Sequence, residues 1–344
     1  MNPAPDPALD RRLRDMPKVE LHVHLEGAMD ADAVWAMARR NGTPLPAGSL
    51  EAWRAFYKFR DFDHFLQVYI AAARAMRTAE DWAFMAEHFC ARQAAQHVVY
   101  TEAFLSASLM VGPGAALPQD VLLDALAAGL AAGEARHGTR VRFIPDIARH
   151  VPDTQHAVLD FVSRGHARGL FLGLGLGGPE VGFPPELFTE TYAEARRRGL
   201  RVVAHAGETM GAESVRGAIE ALGAERIGHG VRVLEDPAVV ALARERRVPF
   251  EVCPTSNYRL KVVPEGAPHP IRRMVDAGLV CTVNSDDPPM FGTTLVDEYR
   301  LLARQGFAWD ELWALNRNAL DAAFLDDAER AGYRARFDAW AAGA

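Results

Sequence analysis

The chain has 344 residues, of which 49% are apolar and 24% charged, and its formal net charge is -7. This composition is typical of a globular enzyme and excludes a disordered or fibrous chain, and we expect one domain over residues 1–344. The 38 basic residues are dispersed, so the basic face of a nucleic-acid-binding protein is missing and a small-molecule substrate is expected.

The N-terminal segment 1–15 is rich in proline and charge and lacks the apolar run of a secretion signal, so we expect a flexible arm. No later apolar run has the length of a membrane span. The cysteines Cys90, Cys253 and Cys281 form neither a disulfide framework nor a C-x-x-C pair. These features predict a cytoplasmic protein without a membrane partner, and they leave the oligomeric state open.

Eight apolar runs bounded by turn residues predict β-strands, and segments with helical periodicity lie between them, among them 118–136, 184–198 and 236–246. Repeated strand–helix alternation predicts a parallel sheet, and eight repeats predict an α/β fold of the TIM type, a (β/α)8 barrel. The segments 30–97 and 293–341 exceed a minimal barrel and predict extra helices after strand one and at the C-terminus. The predicted strands are 19–25, 98–105, 140–148, 170–177, 201–206, 226–229, 249–253 and 279–284.

Polar side chains cluster where the active site of such a barrel is built, at the carboxyl ends of the strands. His22 and His24 point to one face of strand one, because successive strand residues face opposite ways. His205 ends strand five, and Asp286 and Asp287 follow strand eight. Three histidines and a carboxylate suit one catalytic divalent metal, zinc above others, with one aspartate as a ligand and its neighbour as a substrate contact.

Two further polar residues predict proton transfer beside this metal. Glu208 lies in the loop sequence HAGE, and a carboxyl group in a dry pocket has a raised pKa that lets it act as an acid. His229, between glycines in RIGHG, is expected to orient the attacking water, whose pKa the metal lowers to roughly 7. A metal-binding barrel without catalysis would not need these two groups.

Other interpretations have less support. GLGLGG at 173–178 fits a dinucleotide-binding pattern, but no helix follows it directly. The H-x-E of 24–26 lacks the P-C-x-x-C partner of the zinc nucleobase deaminases of the other fold. No lysine lies where it could bridge two metals, which disfavours a hydrolase of lactones or phosphotriesters.

The motifs KVELHVHLEG, HAGE, RIGHG, CPTSN and NSDDPPMFGTTL, in that order, resemble the adenosine deaminase family of metal-dependent purine aminohydrolases. The resemblance runs from residue 18 to about 298. It implies a TIM-type barrel with one zinc ion and hydrolytic replacement of the 6-amino group of an adenine ring. It also implies the metal ligands His22, His24, His205 and Asp286.

The same resemblance implies the roles of four other residues. Glu208 matches the glutamate that carries a proton to the purine ring, and His229 matches the histidine beside the attacking water. Asp287 matches the aspartate that contacts ring N7. Gly178, in GLGGPE, matches the glycine whose backbone amide reaches ring N3.

Glu26 departs from the family pattern and bears on the substrate. Adenosine deaminases have aspartate there, against the ribose 5′-hydroxyl, whereas glutamate resembles the adenine deaminases. The sequence favours an adenine nucleoside as substrate, either adenosine or 6-aminodeoxyfutalosine, a 5′-modified adenosine of menaquinone synthesis, with free adenine as the alternative. An aromatic and basic patch in 53–69 either holds the aryl carboxylate of the modified adenosine or forms a helical hairpin on the barrel; it comprises Trp53, Phe56, Tyr57, Lys58, Phe59 and Arg60.

Overall fold

The computed structural model describes residues 6–111 and 115–343. Eight parallel strands in these residues pair in chain order, from the first to the eighth, which confirms the predicted (β/α)8 barrel. Each strand is short and mostly buried, as a barrel wall covered by helices requires. The strands are β1 Lys18–Glu20, β2 Val98–Leu105, β3 Arg140–Ala148, β4 Gly173–Gly177, β5 Arg201–Ala206, β6 Arg226–His229, β7 Pro249–Val252 and β8 Val280–Val283.

Helices cover the outside of the barrel, and the predicted extra helices are confirmed as α2–α5 after β1 and α15–α17 after β8. None of the helices within the described residues is long and apolar enough to cross a bilayer. The helices are α1 Pro7–Asp15, α2 Ala31–Asn41, α3 Leu50–Phe56, α4 Phe62–Ala75, α5 Ala79–Ala94, α6 Ala107–Val111, α7 Gln119–His137, α8 Gln155–Ala167, α9 Thr189–Arg197, α10 Ala212–Gly217, α11 Pro237–Glu245, α12 Pro254–Arg259, α13 Ile271–Asp276, α14 Pro288–Phe291, α15 Leu295–Arg304, α16 Trp309–Ala322 and α17 Asp327–Gly343.

The face of β4 that lines the barrel interior consists of glycines without side chains, and this leaves room inside the barrel. Its sequence alternates glycine with leucine, and Leu174 and Leu176 pack into the main apolar core. A Cβ atom on Gly175 would lie 1.8 Å from Oδ1 of Asp146 on β3. Glycine at this position therefore lets a buried carboxyl group occupy the barrel interior.

The barrel closes between β8 and β1 through a seam that side chains help to hold. Oδ1 of Asn284 accepts hydrogen bonds from the backbone N–H groups of Leu21 (2.9 Å) and His22 (3.1 Å). The Ser285 backbone N–H and hydroxyl both donate to Oε1 of Glu20, at 2.9 and 2.6 Å. Since polar side chains replace part of a strand ladder here, the main chain at the seam is fixed by residues from both ends of the sequence.

A buried ion cluster lies beneath the carboxyl ends of the strands. Nη1 of Arg226 lies 2.6 Å from Oε2 of Glu102, and its Nε lies 2.5 Å from Oε1 of Glu251. The other oxygen of Glu251 lies 2.9 Å from Nδ1 of His22. The cluster therefore connects the core of the barrel to the first predicted metal ligand.

Replacing Arg226 with methionine is expected to lower the free energy of unfolding by about 3–5 kcal/mol, because it leaves Glu102 and Glu251 buried without their cation. Chemical denaturation measures the change. The matched control is Arg201→Met, which removes the half-exposed pair with Glu225 and is expected to cost at most about 1 kcal/mol. Equal losses in the two variants would contradict this role of the cluster.

The first strand is shorter than predicted. β1 ends at Glu20, so His22 and His24 lie beyond it and not inside a strand over 19–25. The chain stays extended through single bridges at Val23 and His24. The regular ladder ends early because Oδ1 of Asn284, and not a backbone carbonyl oxygen, accepts from the N–H groups of Leu21 and His22.

Two other predicted elements differ from the structure by more than one residue. β4 begins at Gly173, not at residue 170. The helix predicted over 184–198 is divided into a 3-10 turn, Pro185–Phe188, and α9. Proline lacks the N–H group that a continuous helix uses, so a tighter turn precedes the regular helix.

The prediction of a flexible arm over residues 1–15 is wrong for the part that the structure describes. Residues 7–15 form α1, which begins at Pro7 with Asp6 as the N-cap. Leu13 is fully buried, and the Arg12 guanidinium lies 3.9 Å from the centre of the Trp309 ring. The amphipathic spacing of this segment, which its proline and charge content obscured, lets it pack against the C-terminal helices.

Candidate active site

The side chains predicted as metal ligands lie together. His22 and His24 follow β1, and His205 lies on β5. Nε2 of His24 is 3.3 Å from Nε2 of His205 and 3.4 Å from Oδ1 of Asp286. Nε2 of His22 is 3.7 Å from the same oxygen. Bonds of about 2.0–2.1 Å in a tetrahedron place ligand atoms roughly 3.3–3.4 Å apart, so the set has the spacing of a divalent metal site.

The imidazoles are held in the form that binds a metal. Nδ1 of His22 donates to Glu251, and Nδ1 of His205 lies 2.9 Å from the Leu176 carbonyl oxygen and donates to it. Each Nε2 therefore carries a lone pair directed into the site. Burial, with a smaller contribution from His205, holds the pKa of both His22 and His24 well below its ordinary value, so both rings are neutral. Nε2 of His22 is buried without a hydrogen-bond partner among the described residues, which fits a metal ligand.

Two residues of the site have a strained backbone. His229 and Asp286 have φ angles of 57° and 64°, in the left-handed region that non-glycine residues rarely adopt. Such a conformation persists only where the surroundings impose it, and it is concentrated at functional sites. Here it turns the side chain at the end of β6 and the one after β8 into the barrel mouth.

Glu208 and His229 lie beside the candidate metal ligands. Nε2 of His229 is 3.8 Å from Oε1 of Glu208 and 3.8 Å from Oδ2 of Asp286. Burial, followed by the charge of Asp286, raises the pKa of Glu208 well above its usual range. Glu208 is thus a buried carboxyl group whose raised pKa favours the protonated form.

Asp287 faces the same site, and its side chain is tightly packed against Gly27. Burial, and then the adjacent Asp286, raises the pKa of Asp287 well above its usual range, so its carboxyl group keeps a proton. A Cβ atom on Gly27 would lie 1.5 Å from Oδ1 of Asp287, which explains why glycine follows Glu26 in the sequence. The neutral carboxyl is a hydrogen-bond donor for a substrate.

One large cavity, about 460 Å³ in volume, leads to this constellation. Its inner end is formed by catalytic and metal-site candidates and by Gly178. One wall is apolar and comes from α4, and two arginines lie farther along it. The inner residues are His24, His205, Glu208, His229, Asp286 and Asp287; the wall residues are Phe62, Phe65, Leu66, Tyr69, Ile70, Arg74 and Arg77.

Comparison with known proteins identifies the family. The family model for adenosine deaminase matches residues 17–340. The chain belongs to the adenosine deaminase family. The match and the geometry agree on a hydrolytic deaminase that acts on an adenine-type ring.

Relatives of this deaminase carry a narrower name. An adenine deaminase of Cupriavidus necator is 38% identical over 97% of this chain and 94% of its own length. Among solved structures, an adenine deaminase from Arthrobacter aurescens has a TM-score of 0.88 and 34% identity over 95% of this chain and 99% of its own. An amidohydrolase from Burkholderia ambifaria with bound zinc has a TM-score of 0.90 and 30% identity over 100% of this chain and 98% of its own.

Glu180 is a site residue of the deaminase that sequence reasoning missed. Its carboxylate accepts hydrogen bonds from the backbone N–H groups of Gly207 (2.9 Å), Glu208 (2.9 Å) and Thr209 (2.7 Å), and from the Ser214 hydroxyl. Burial opposes its ionisation, but the Ser214 hydrogen bond and these amides hold its pKa below the usual value. Glu180 therefore fixes the loop that carries Glu208, although no local signal in GLGGPE reveals a partner 27 residues away.

Glu180→Gln is expected to lower kcat/KM about 10- to 100-fold and the free energy of unfolding by about 2 kcal/mol. The amide would turn an NH2 group towards N–H donors and leave backbone amides without an acceptor. Steady-state kinetics and denaturation measure both effects. Glu190→Gln, an exposed change on α9, is the control. If Glu180→Gln has the same kcat/KM and the same free energy of unfolding as this control, Glu180 does not anchor the loop.

Glu26 lies behind the cavity wall and not on it. Its Oε1 accepts from the Ser106 backbone N–H at 2.8 Å and its Oε2 from the Tyr69 hydroxyl at 3.1 Å. Burial raises its pKa to about 7. Ser106 and Tyr69 line the large cavity, so Glu26 bears on the substrate pocket through these two residues.

The aromatic and basic patch forms the helical hairpin that the sequence left as an alternative. Trp53 is fully buried and its indole N–H donates to the Ala31 carbonyl oxygen at 3.0 Å. Lys58 and Arg60 are exposed. The six patch residues, from Trp53 to Arg60, do not line the large cavity, so Lys58 and Arg60 are not its anion site. The α4 part of the same segment 53–69 does line the cavity, with Phe62, Phe65, Leu66 and Tyr69.

A second missed residue is the buried Asp146. It lines the cavity, and its Oδ1 has no hydrogen-bond partner in the described part of the chain. Burial, and then the charge of Glu26, raises its pKa well above the usual range. From the sequence alone, Asp146 is a polar residue that interrupts an apolar strand. Nothing local shows that the glycines of β4 leave a space beside it.

Proposed function

We propose that this deaminase catalyses the zinc-dependent hydrolysis of free adenine to hypoxanthine and ammonia. The observation that carries the proposal is the buried Glu208, whose pKa is raised, beside the candidate metal ligands His22, His24, His205 and Asp286. The relatives named adenine deaminase, 34–38% identical over nearly the full chain, favour the free base over the nucleoside.

His22, His24, His205 and Asp286 are proposed to hold the zinc ion, since their donor atoms have tetrahedral spacing and the imidazoles are neutral. When bound, the ion supplies Lewis-acid activation of water at neutral pH. Nitrogen and oxygen donors with no thiolate suit such a catalytic site.

The chain's own residues then bind and protonate the ring. Glu208 gives its proton to N1, which makes C6 electrophilic while the water oxygen forms its bond to C6. The neutral carboxyl of Asp287 donates to N7, and the backbone N–H of Gly178, beyond the last ladder residue of β4, donates to N3. His229 orients the reacting oxygen. The attacking water gives up both of its protons: one restores the acid form of Glu208 and the other passes to the amino group. The C6–N6 bond then breaks, ammonia leaves, and the oxygen remains as the 6-oxo group.

Ammonia release from the zinc-loaded enzyme tests the proposal on adenine, adenosine and 6-aminodeoxyfutalosine in parallel. We expect kcat/KM to be highest for adenine. A higher value for either nucleoside would reject the free base as the preferred substrate, and the absence of ammonia from all three would reject adenine-ring deamination.

The cavity supports a second candidate, an adenine nucleoside extended at the 5′ position by an anionic group. The cavity volume of about 460 Å³ equals that of roughly 15 water molecules at about 30 Å³ each. Adenine has only ten heavy atoms, which pack more closely than water molecules, so it would leave part of the cavity unfilled. Arg74 and Arg77 line the cavity, and their guanidinium groups have no ion-pair partner in residues 6–111 and 115–343. Arginine pairs well with a carboxylate.

For this candidate, Arg77→Gln is expected to lower kcat/KM for 6-aminodeoxyfutalosine about tenfold and to leave turnover of adenine unchanged. The matched control is Arg60→Gln, an exposed arginine that does not line the cavity. If Arg60→Gln has the larger effect, or if both substrates respond equally to Arg77→Gln, the cavity arginines are not the anion site.

A further inference from the structure

A chain of three buried polar side chains leads away from the active site into the protein interior. It begins at His229, continues through Asn257 on α12 and ends at His269, which precedes α13. The relative exposures are 1%, 0% and 2%. Among these residues, Asn257 and His269 have no part in the metal site or the cavity wall as described above.

The hydrogen bonds of this chain can be assigned from one unambiguous donor. The backbone N–H of Ile271 donates to Nδ1 of His269 at 3.2 Å, so that nitrogen carries no proton. Burial lowers the pKa of His269 to about 3, which keeps the ring neutral. Its proton is therefore on Nε2, which lies 3.2 Å from Oδ1 of Asn257 and donates to it.

The orientation of the Asn257 amide then determines the state of His229. With Oδ1 turned to His269, the NH2 group lies 3.3 Å from Nδ1 of His229 and donates to it. Nδ1 of His229 is thus an acceptor, and the proton of the neutral ring is on Nε2. That nitrogen lies 3.8 Å from Oε1 of Glu208 and from Oδ2 of Asp286. The opposite tautomer would turn a lone pair of His229 towards the carboxyl oxygen of Asp286.

The outer end of the chain is held in place by other elements. The His269 backbone N–H donates to Oε1 of Gln305 at 3.1 Å, and Nε2 of Gln305 donates to the Tyr258 hydroxyl at 2.8 Å. The Tyr258 ring packs edge-on against the His269 ring, with centroids 5.6 Å apart. His269 is thus fixed before any substrate arrives, as a group that sets another residue's orientation must be.

We infer that His269 is a positioning residue: through Asn257 it fixes His229 as the Nε2–H tautomer, which donates a hydrogen bond to the oxygen that attacks the ring. The inference rests on the deamination proposed above for the role of His229. The tautomer itself follows from the contacts alone and can be measured without turnover.

The test uses zinc-loaded full-length protein and the ¹⁵N shifts of the His229 ring, which distinguish the two tautomers. His269→Leu removes the donor to Asn257. We expect mixed tautomers, a kcat about 10- to 100-fold lower, a KM within about threefold and an unchanged zinc content. His269→Gln, whose side-chain NH2 can replace the imidazole N–H, is expected to restore most of the kcat. His156→Leu, an exposed change on α8, is the control and should leave kcat unchanged.

Asn257→Asp provides a second route should the leucine variant fail to fold. A carboxylate accepts from both histidines, so we expect it to move the His229 proton to Nδ1 and to lower kcat. The inference is overturned if His229 stays in the Nε2–H form in Asn257→Asp, or if His269→Leu keeps a wild-type kcat. Wild-type protein that releases no ammonia from adenine would instead reject the proposed substrate, while the ¹⁵N shifts would still test the relay.

Discussion

Glu208→Gln is expected to lower kcat for ammonia release by about 100- to 10,000-fold while zinc stays bound. The amide has nearly the same shape but no acidic proton for ring N1. Its neighbours are preserved, because Glu180 holds the loop through the backbone amides and not through this side chain. Metal analysis and steady-state kinetics on the same sample separate catalysis from metal retention.

The pH dependence should follow the same group. Burial and the nearby Asp286 raise the pKa of Glu208, so the carboxyl keeps its proton at neutral pH and loses it as the pH rises through that value. We expect kcat/KM to fall on the alkaline side. The exposed Glu220→Gln is the control and should reproduce the wild-type profile. Full activity in Glu208→Gln would rule out this residue as the acid.

His205→Asn is expected to weaken zinc binding by more than about 100-fold and to remove activity. Loss of a partner that only orients a ligand costs 10- to 100-fold in metal affinity, and loss of the ligand costs more. Metal content after dialysis against a weak chelator measures the effect. In the wild type, a strong chelator should abolish turnover and added zinc should restore it.

Cys253 provides a discriminating control for this prediction. Its sulfur lies within 4.8 Å of donor atoms of His22, His229 and Asp286, so distance alone would admit it as a ligand. Burial raises the pKa of its thiol well above the usual value, and metals bind the thiolate. Cys253→Ala is therefore expected to keep its zinc. If it loses zinc and His205→Asn does not, the ligand set is wrong.

The barrel was predictable because its signals are local. Apolar runs between turn residues mark the strands, and their number, eight, together with the alternating helices admits few other architectures. The proximity of the candidate metal ligands was predictable for a related reason. The carboxyl ends of parallel strands all meet at one end of a barrel, so His205 and Asp286 could be placed near His22 without knowing any contact.

What the sequence could not show depends on distant pairings. Glu180 has a role only because a loop from β5 turns its amides towards it, and His269 only because α12 brings Asn257 within reach. At Lys58 and Arg60, by contrast, the sequence suggested a role in substrate binding that the structure does not support. An aromatic and basic composition fits both a pocket wall and a surface hairpin, and only the structure shows Trp53 buried against α2 with Lys58 and Arg60 exposed.

The seam between β8 and β1 has a consequence for biosynthesis. His22 and His24 lie on one side of it and Asp286 on the other, and the backbone N–H of His24 donates to the Asp286 carbonyl oxygen at 2.9 Å. A nascent chain still on the ribosome has three of the four candidate ligands but lacks Asp286 and the seam contact until the last strand emerges and docks. Shortened products that end before β8 should therefore neither capture metal nor attack purines, and only a finished polypeptide becomes an enzyme.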